Sequence, residues 1–186
     1  MKFSANVTIL GIDVVEGGAE RADSVEKALA HVKPEVDYVA IHDAARPCIA
    51  DEWIETIFAA ATNSGAALYG VPVASTLKRA RKEEGGLTSV TETVDRQHLW
   101  EAQTPQVFRR DWLLEAYAQR AGFPATDDAQ LVERIKHPIT LLEGSPLNRK
   151  ITTRQDLKLA RQILKVLPKP KVSGTGNPFA DDDLFR

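Results

Sequence analysis

The chain has 186 residues, of which 43% are hydrophobic and 27% are charged, and its formal net charge is −2. This size and composition suit one globular domain with a sizeable core. No apolar run approaches the roughly 20 residues that cross a bilayer, so we expect a soluble protein without a membrane partner. The net charge argues against a broad nucleic-acid surface, and anion binding would come from a few placed residues.

The cysteine content and the N-terminal composition bear on cellular location. Cys48 is the single cysteine, so it has no partner for an internal disulfide. The N-terminal residues lack the basic segment, apolar core and small-residue cleavage site of a secretory signal. We therefore expect a cytoplasmic protein. Cys48 has no metal-binding spacing either, and we interpret it as a small buried apolar residue rather than a nucleophile.

Strand-like and helix-like segments alternate along the chain, which is the pattern of an α/β layered fold. Short apolar, β-rich runs predict strands over residues 6–15, 36–41, 66–73 and 139–142. Apolar residues at helical spacing predict helices near residues 25–32 and after possible caps at Asp51, Asp111, Thr126 and Thr153. Gly65 is placed to end the second helix, and Thr153 with Asp156 resembles a capping box.

A charged, glycine-containing stretch interrupts this pattern at about residues 74–100. β-prone residues flank Gly85 and Gly86, which predicts a projecting β-hairpin arm. Such an arm buries little within its own subunit, so packing on a second copy in a homodimer is a natural use for it. Residues 168–186 are rich in proline, glycine and charge, and we expect a disordered tail after a single domain over 1–167.

The segment VDYVAIHDAARPCI carries the clearest functional signal in the chain. A short apolar run is followed at once by Asp43, Arg46 and Pro47. In open α/β sheets, ligands bind beyond the carboxyl ends of strands, where a carboxylate can hold a cation and an arginine can clamp a phosphate. The alternative is that Asp43 caps a turn and Arg46 makes an ordinary surface ion pair, and this segment alone does not choose between the two.

Six segments in chain order carry a family resemblance: GGAERADSV, HDAARPCI, GVPVASTLKR, TVDRQHLWEAQTPQVF, TDDAQLVE and NRKITTRQDLKLA. Together they resemble 2-C-methyl-D-erythritol 4-phosphate cytidylyltransferase over residues 6–164. The resemblance implies a three-layer, Rossmann-like nucleotidyltransferase sheet. It also implies transfer of CMP from CTP to methylerythritol phosphate, giving 4-diphosphocytidyl-2-C-methyl-D-erythritol and pyrophosphate in non-mevalonate isoprenoid biosynthesis. The alternative enzyme is a ribitol 5-phosphate cytidylyltransferase, although HDAARPC and TVDRxxLWxAQTPQ look more like the methylerythritol enzyme.

The resemblance implies a catalytic pair and a metal. In this family a substrate phosphate attacks the α-phosphorus of CTP, so neutralising negative charge dominates catalysis. Lys150 matches a catalytic lysine that stabilises that charge, and Asp43 matches a catalytic residue that contacts both Mg²⁺ and the sugar phosphate. A single strand-end acid is sufficient, because Mg²⁺ keeps several waters and takes other ligands from substrate phosphates.

The resemblance also implies two sets of substrate contacts. Gly18, Ala19 and Ser24 match positions that recognise the cytosine of CTP. From its position alone, just before Val25, Ser24 would be interpreted as a helix cap.

Thr76, Arg96 and Thr104 match positions that hold the methylerythritol phosphate group, with Arg96 and Thr104 reaching it from the neighbouring subunit. Without the resemblance, Arg96 beside Asp95 would be a solvated hairpin charge. His42 is not assigned a catalytic role, because the attacking phosphate is already ionised and needs no base.

Departures from the family pattern lead to a further expectation. The phosphate-binding loop of the form AAGxGxRMGxxxPKQ does not occur in this sequence. The resemblance thus implies an N-terminally truncated sheet, and we expect the chain alone to be weakly active or inactive. A non-catalytic remnant that dimerises with a longer copy is the alternative outside enzymes. Ser75 and Leu147 also stand where acidic residues are common, and Arg149 where an apolar residue is common.

Overall fold

The computed structural model of the protein describes residues 11–168, and every structural statement below concerns that range. Its elements in chain order are α1 (Arg21–Leu29), β1 (Tyr38–Ile41), α2 (Asp51–Ser64), β2 (Ala66–Pro72), β3 (Leu77–Lys82), β4 (Thr88–Val94), β5 (Trp100–Arg109), α3 (Arg110–Ala118), α4 (Ala129–Arg134), β6 (Thr140–Glu143) and α5 (Arg154–Val166). None of these helices is long and apolar enough to cross a bilayer.

The main sheet has four strands in the order β1-β5-β2-β6. Strands β1, β2 and β6 run in one direction, and β5 runs against its neighbours β1 and β2. The β2–β5 register shifts after the Leu68–Gln106 pair, because the next pair joins Tyr69 to Gln103. Thr104 and Pro105 therefore have no β2 partner, and this bulge lies opposite the end of β1.

Helices cover both faces of this sheet, as the alternation of side chains requires. Ala66 and Leu68 of β2 face a core that includes buried residues of α1, α3 and α4. Ala67 and Tyr69 face the opposite way, against Ile57 on α2. The predicted three-layer α/β fold is confirmed in this part of the chain.

A smaller core joins α5 to the loop that follows β1. Cys48 is fully buried there with Ala160 and Ile163. Burial raises the pKa of the Cys48 thiol, so it stays protonated at neutral pH. The interpretation of Cys48 as a buried apolar residue agrees with this environment.

Strands β3 and β4 form a separate antiparallel pair, and a tight turn joins them. Gly85 and Gly86 have φ angles of +92° and +84°, a region in which residues with a Cβ are strained. Nearly all side chains of the two strands are exposed. The hairpin is therefore present, while its use as a dimer arm stays a prediction.

Several predicted boundaries are displaced. Residues 11–15 are irregular rather than strand, and residues 6–10 and the predicted disordered tail after 168 lie outside the described range. Helix α4 begins after Asp128 instead of Thr126, whose backbone N–H donates to the side chain of Gln130 at 3.0 Å. Helix α3 begins one residue before Asp111, whose carboxylate accepts from the Trp112 N–H at 2.9 Å.

Candidate active site

Asp43 lies in the loop after β1, at the carboxyl end of that strand, as the sequence predicts. It borders a cavity of about 230 Å³. The cavity is lined by Arg21, Asp43, Arg46, Ala102, Thr104, Gln106, Thr126, Asp127 and Lys150. Three of these residues, Asp43, Thr104 and Lys150, are predicted site residues that the fold brings together from distant parts of the chain.

Three cations surround the carboxylate of Asp43. Lys150 Nζ lies 3.0 Å from Oδ2, Arg21 Nε lies 3.4 Å from Oδ1, and Arg46 Nε lies 3.6 Å from Oδ2. The Asp43 side chain is only 14% exposed. Burial works to raise its pKa, but the hydrogen bond and charge of Lys150, with the charge of Arg21, outweigh burial and hold the pKa below its usual value. Asp43 is therefore ionised at neutral pH.

Arg46 braces the loop that carries Asp43. Its Nη1 donates to the carbonyl of Asn148 at 2.8 Å, and its side chain is 13% exposed. Its Nε is buried without a hydrogen-bond partner in residues 11–168, because the 3.6 Å approach to Asp43 is an ion pair only. The alternative of an ordinary surface ion pair does not fit this degree of burial.

Backbone anchors on both sides of Lys150 fix the loop that carries it. Asn148 is 1% exposed, and its Nδ2 donates to the Thr104 carbonyl at 2.8 Å. The Ile151 N–H donates to the Ala45 carbonyl at 2.8 Å. The Lys150 side chain is nevertheless 46% exposed. Its ammonium is therefore held beside Asp43 but remains accessible to a ligand in the cavity.

Thr104 belongs to the same site within one chain. Its Oγ1 accepts from the Asp43 N–H at 3.0 Å and lies 3.1 Å from Nδ1 of His42. The resemblance assigned Thr104 to a neighbouring subunit, but the pairing of β1 with β5 brings it to Asp43 of its own chain. His42 also contacts the Arg46 carbonyl through Nε2 at 2.8 Å, which suits a bracing role rather than a catalytic one.

None of the predicted cytosine contacts lines this cavity: Gly18 and Ala19 precede α1, and Ser24 lies within its first turns. Ser24 Oγ accepts from the Gly18 N–H at 3.0 Å. The capping alternative for Ser24 is wrong, because α1 begins after Glu20 and the carboxylate of Asp23 accepts from the Glu20 N–H at 3.0 Å. A Cβ on Gly18 would lie 2.2 Å from the Asp23 Cβ, so this turn needs glycine.

Thr76 and Arg96 lie at the base of the β3–β4 hairpin and not beside Asp43. Thr76 precedes β3 by one residue, and Arg96 follows β4 by two. Both are exposed, and neither lines the cavity. Any role for them at the Asp43 site of another subunit stays a prediction.

Sequence reasoning gave no site role to four polar residues that line the cavity: Arg21, Gln106, Thr126 and Asp127. Gln106 Nε2 donates to Asp127 Oδ2 at 2.9 Å, and its Oε1 accepts from the Ala129 N–H at 3.1 Å. All four residues occur in segments that carry the family resemblance: Arg21 in GGAERADSV, Gln106 in TVDRQHLWEAQTPQVF, and Thr126 and Asp127 in TDDAQLVE. Nothing local to those segments shows that they face Asp43.

The arrangement is suited to an anionic ligand that also brings a cation. Arg21, Arg46 and Lys150 supply positive charge, and Asp43 and Asp127 supply carboxylates. Within residues 11–168 there is no group of three or more His, Cys, Asp or Glu side chains that could hold a metal. A magnesium role for Asp43 stays a prediction: Mg²⁺ can take most of its ligands from water and substrate phosphates, so one carboxylate is enough once a ligand phosphate has drawn the cations away.

Comparison with known proteins identifies the family. The family model described as 2-C-methyl-D-erythritol 4-phosphate cytidylyltransferase (IspD) matches residues 2–166. The enzyme of that name from Rhodopirellula baltica is 44% identical over 174 residues, covering 88% of this chain and 69% of the relative. Its counterpart from Shouchella clausii is 46% identical over 154 residues, covering 82% and 65%. The chain thus spans about two thirds of the length of these relatives.

Solved structures agree with this match. The crystal structure of the Thermus thermophilus cytidylyltransferase of the same name superposes with a TM-score of 0.75 at 38% identity, covering 84% of this chain and 75% of that one. The Francisella tularensis structure gives 0.74 at 32% identity, covering 82% and 72%. With its strand-end carboxylate, lysine and threonine in one cavity, the chain belongs to the 2-C-methyl-D-erythritol 4-phosphate cytidylyltransferase family of nucleotidyltransferases.

Proposed function

We propose that this chain binds methylerythritol phosphate beside Asp43 and positions it for CMP transfer from CTP in isoprenoid biosynthesis. The observation that carries the proposal is the 3.0 Å contact between Lys150 and Asp43 in a cavity that Thr104 and Arg21 also line. A phosphate that enters this cavity offers Lys150 a second anion. Because Lys150 is half exposed, its ammonium can turn from Asp43 toward that phosphate without breaking the buried core.

The roles of the other residues follow from their contacts. Thr104 on β5 is hydrogen-bonded both to the Asp43 N–H and, through its carbonyl, to the side chain of Asn148. These two bonds connect the loops that carry Asp43 and Lys150, so the two side chains stay close together. Arg21 adds a second cation at the opposite carboxylate oxygen. The turn at Gly18, Ala19 and Ser24 is proposed to recognise cytosine through its backbone groups, since Ala19 is exposed and Gly18 has no side chain to cover the main chain.

Magnesium is the proposed cofactor, and Asp43 is the residue that would hold it. When bound, the ion neutralises phosphate charge as the bond to the leaving pyrophosphate breaks. The residues of the chain then orient the sugar phosphate and keep Asp43 ionised, which its lowered pKa already favours. Homodimerisation through the hairpin and a cytoplasmic location remain predictions, which sedimentation and cell fractionation would test.

Calorimetric titration with methylerythritol phosphate, in the presence of Mg²⁺ and an α,β-methylene analogue of CTP that cannot react, tests the proposal. We expect binding by the wild-type chain that weakens at least tenfold in Lys150→Met, since about 1.4 kcal/mol of charge interaction is enough for that loss. Lys158→Met is the matched control, because Lys158 is exposed on α5 and does not line the cavity. Equal weakening in both variants would contradict a specific role for Lys150.

Two further measurements use the same samples. Ribitol 5-phosphate distinguishes the alternative substrate, and tighter binding of that compound would overturn the choice of methylerythritol phosphate. Pyrophosphate release from CTP measures turnover. Release that depends on added methylerythritol phosphate would support the proposed substrate, and release that ribitol 5-phosphate drives better would overturn it.

A further inference from the structure

A buried carboxylate lies behind the cavity and has no contact with Asp43. The Asp128 side chain is 0% exposed. Its Oδ2 accepts from Nη2 of Arg21 at 2.6 Å, and its Oδ1 accepts from the hydroxyl of Tyr117 at 2.5 Å. Three elements meet there, because Arg21 opens α1, Tyr117 lies on α3 and Asp128 precedes α4.

Both oxygens of the buried Asp128 carboxylate accept hydrogen bonds, one from a guanidinium and one from a hydroxyl. An isolated buried carboxylate is strongly unfavourable, and pairing with a guanidinium and a hydroxyl offsets that cost. Burial, followed by the negative charge of Asp128, raises the pKa of Tyr117. Tyr117 is therefore a neutral hydroxyl that donates to Asp128 across the whole physiological pH range.

Arg21 is the link between this buried group and the cavity. Its Nη2 bonds to Asp128, while its Nε lies 3.4 Å from Asp43 Oδ1 on the other side. The Arg21 side chain is 33% exposed, so the long contact to Asp43 alone would leave it considerable rotamer freedom. The short bond to Asp128 removes that freedom.

We propose that Asp128, fixed by Tyr117, is a positioning residue that holds the guanidinium of Arg21 against Asp43 at the edge of the cavity. Asp128 acts only through Arg21, because it lies behind that guanidinium and does not line the cavity. The functional part of this inference rests on the proposed function. Its structural part, the immobilisation of Arg21 by Asp128, stands on the geometry alone.

Side-chain NMR of arginine tests the structural part without any turnover. The Nε–Hε signal of Arg21, assigned by its loss in Arg21→Lys, should exchange slowly with water in the wild-type chain. We expect that protection to be lost in Asp128→Asn and reduced in Tyr117→Phe, which removes only the hydroxyl. Glu26→Gln is the matched control, because Glu26 lies on the same helix as Arg21 but pairs with Arg120, at 3.1 Å. Unchanged Arg21 protection in folded Asp128→Asn and Tyr117→Phe would overturn the proposal.

A double-mutant cycle tests the functional part. Asp128→Asn should lower kcat/KM for pyrophosphate release roughly 10- to 100-fold, as the loss of supporting groups behind a site commonly does. In an Arg21→Met background, Asp128→Asn should lower kcat/KM less than about twofold, because the guanidinium that Asp128 positions is no longer present. A full additional loss in that background would show a merely structural role and reject the proposal.

The two arms separate the two ideas. If the wild-type chain neither binds methylerythritol phosphate nor releases pyrophosphate, the proposed function fails, and the NMR arm still decides whether Asp128 fixes Arg21. Where turnover is too low for kcat/KM, the same cycle is measured with the dissociation constant of methylerythritol phosphate.

Discussion

At the scale of single residues, Asp43 is defined by the charges around it. Three cations approach its carboxylate, while its side chain is largely buried. Ion pairs of this kind commonly stabilise a fold. Here three cations face one carboxylate, and the excess positive charge can also attract a second anion, such as a phosphate. The same contacts that stabilise the free protein are those that a phosphate ligand would take over.

The lowered pKa of Asp43 gives a pH dependence with a definite sign. Because its folded pKa lies below the unfolded value of about 3.9, ionised Asp43 stabilises the fold above that pH and loses its contribution as pH falls through the folded pKa. Asp43→Asn should therefore lower the free energy of unfolding at pH 7, and the difference from wild type should shrink below about pH 4.

Urea unfolding at a series of pH values measures this difference directly. Glu55→Gln is a suitable control, because Glu55 is exposed on α2 and forms no ion pair within the described range. A difference between Asp43→Asn and wild type that stays constant from pH 7 to below about pH 4 would show that the Asp43 charge does not stabilise the fold.

At the scale of elements, helix α5 is tied to the site through its N-terminus. Thr153 Oγ1 accepts from the Asp156 N–H at 3.1 Å, and the Asp156 carboxylate accepts from the Thr153 N–H at 2.9 Å. Backbone hydrogen bonding from Thr152, with further bonds from the hydroxyls of Thr152 and Thr153, lowers the pKa of Asp156. This capping box begins three residues after Lys150, so it limits the motion of the loop that carries the lysine.

Thr153→Ala should destabilise the chain by about 0.5–2 kcal/mol, because one N-terminal N–H of α5 loses its acceptor. Thr62→Ala on α2 is the control, since Thr62 is exposed and its hydroxyl donates back to the Phe58 carbonyl of the same helix at 2.8 Å. Chemical denaturation compares the two variants. Equal stability losses would mean that the box at Thr153 has no special role.

Sequence-based predictions were most accurate for features that depend on residues close together in the chain. The capping box at Thr153 and the turn at Gly85 and Gly86 depend on neighbours within a few residues, and both are present. The position of Asp43 at a strand end also follows from a local pattern. The starts of α3 and α4 differ from the predicted caps: α3 begins one residue before Asp111, and α4 begins three residues after Thr126.

Contacts between distant segments could not be predicted in the same way. The bond between Arg21 and Asp128 spans 107 positions in the sequence, and neither residue has a local pattern that identifies the other. Likewise, Thr104 meets Asp43 only because β1 pairs with β5 in one register. The resemblance supplied Thr104 as a site residue, and the strand pairing places it beside Asp43 of its own chain.

At the scale of the whole molecule, the predicted contacts divide into two groups. Asp43, Thr104 and Lys150 meet in one cavity, whereas Thr76 and Arg96 lie exposed at the base of the hairpin. The strands β3 and β4 hydrogen-bond only to each other in the described part of the chain. If the hairpin packs on a second copy, as the sequence predicts, Arg96 of one subunit would complete the cavity of the other.

Mixing two defective variants tests that arrangement. Arg96→Ala and Lys150→Met should each abolish tight binding of methylerythritol phosphate, but their mixture should recover about a quarter of the wild-type sites, because half of randomly assorted dimers are mixed and each has one intact site. Calorimetric stoichiometry after denaturation and refolding of the mixture measures the recovery, and sedimentation confirms the dimer. No recovery in a dimeric mixture would place Arg96 and Lys150 in the site of the same subunit, and a monomer would remove the arm from the mechanism.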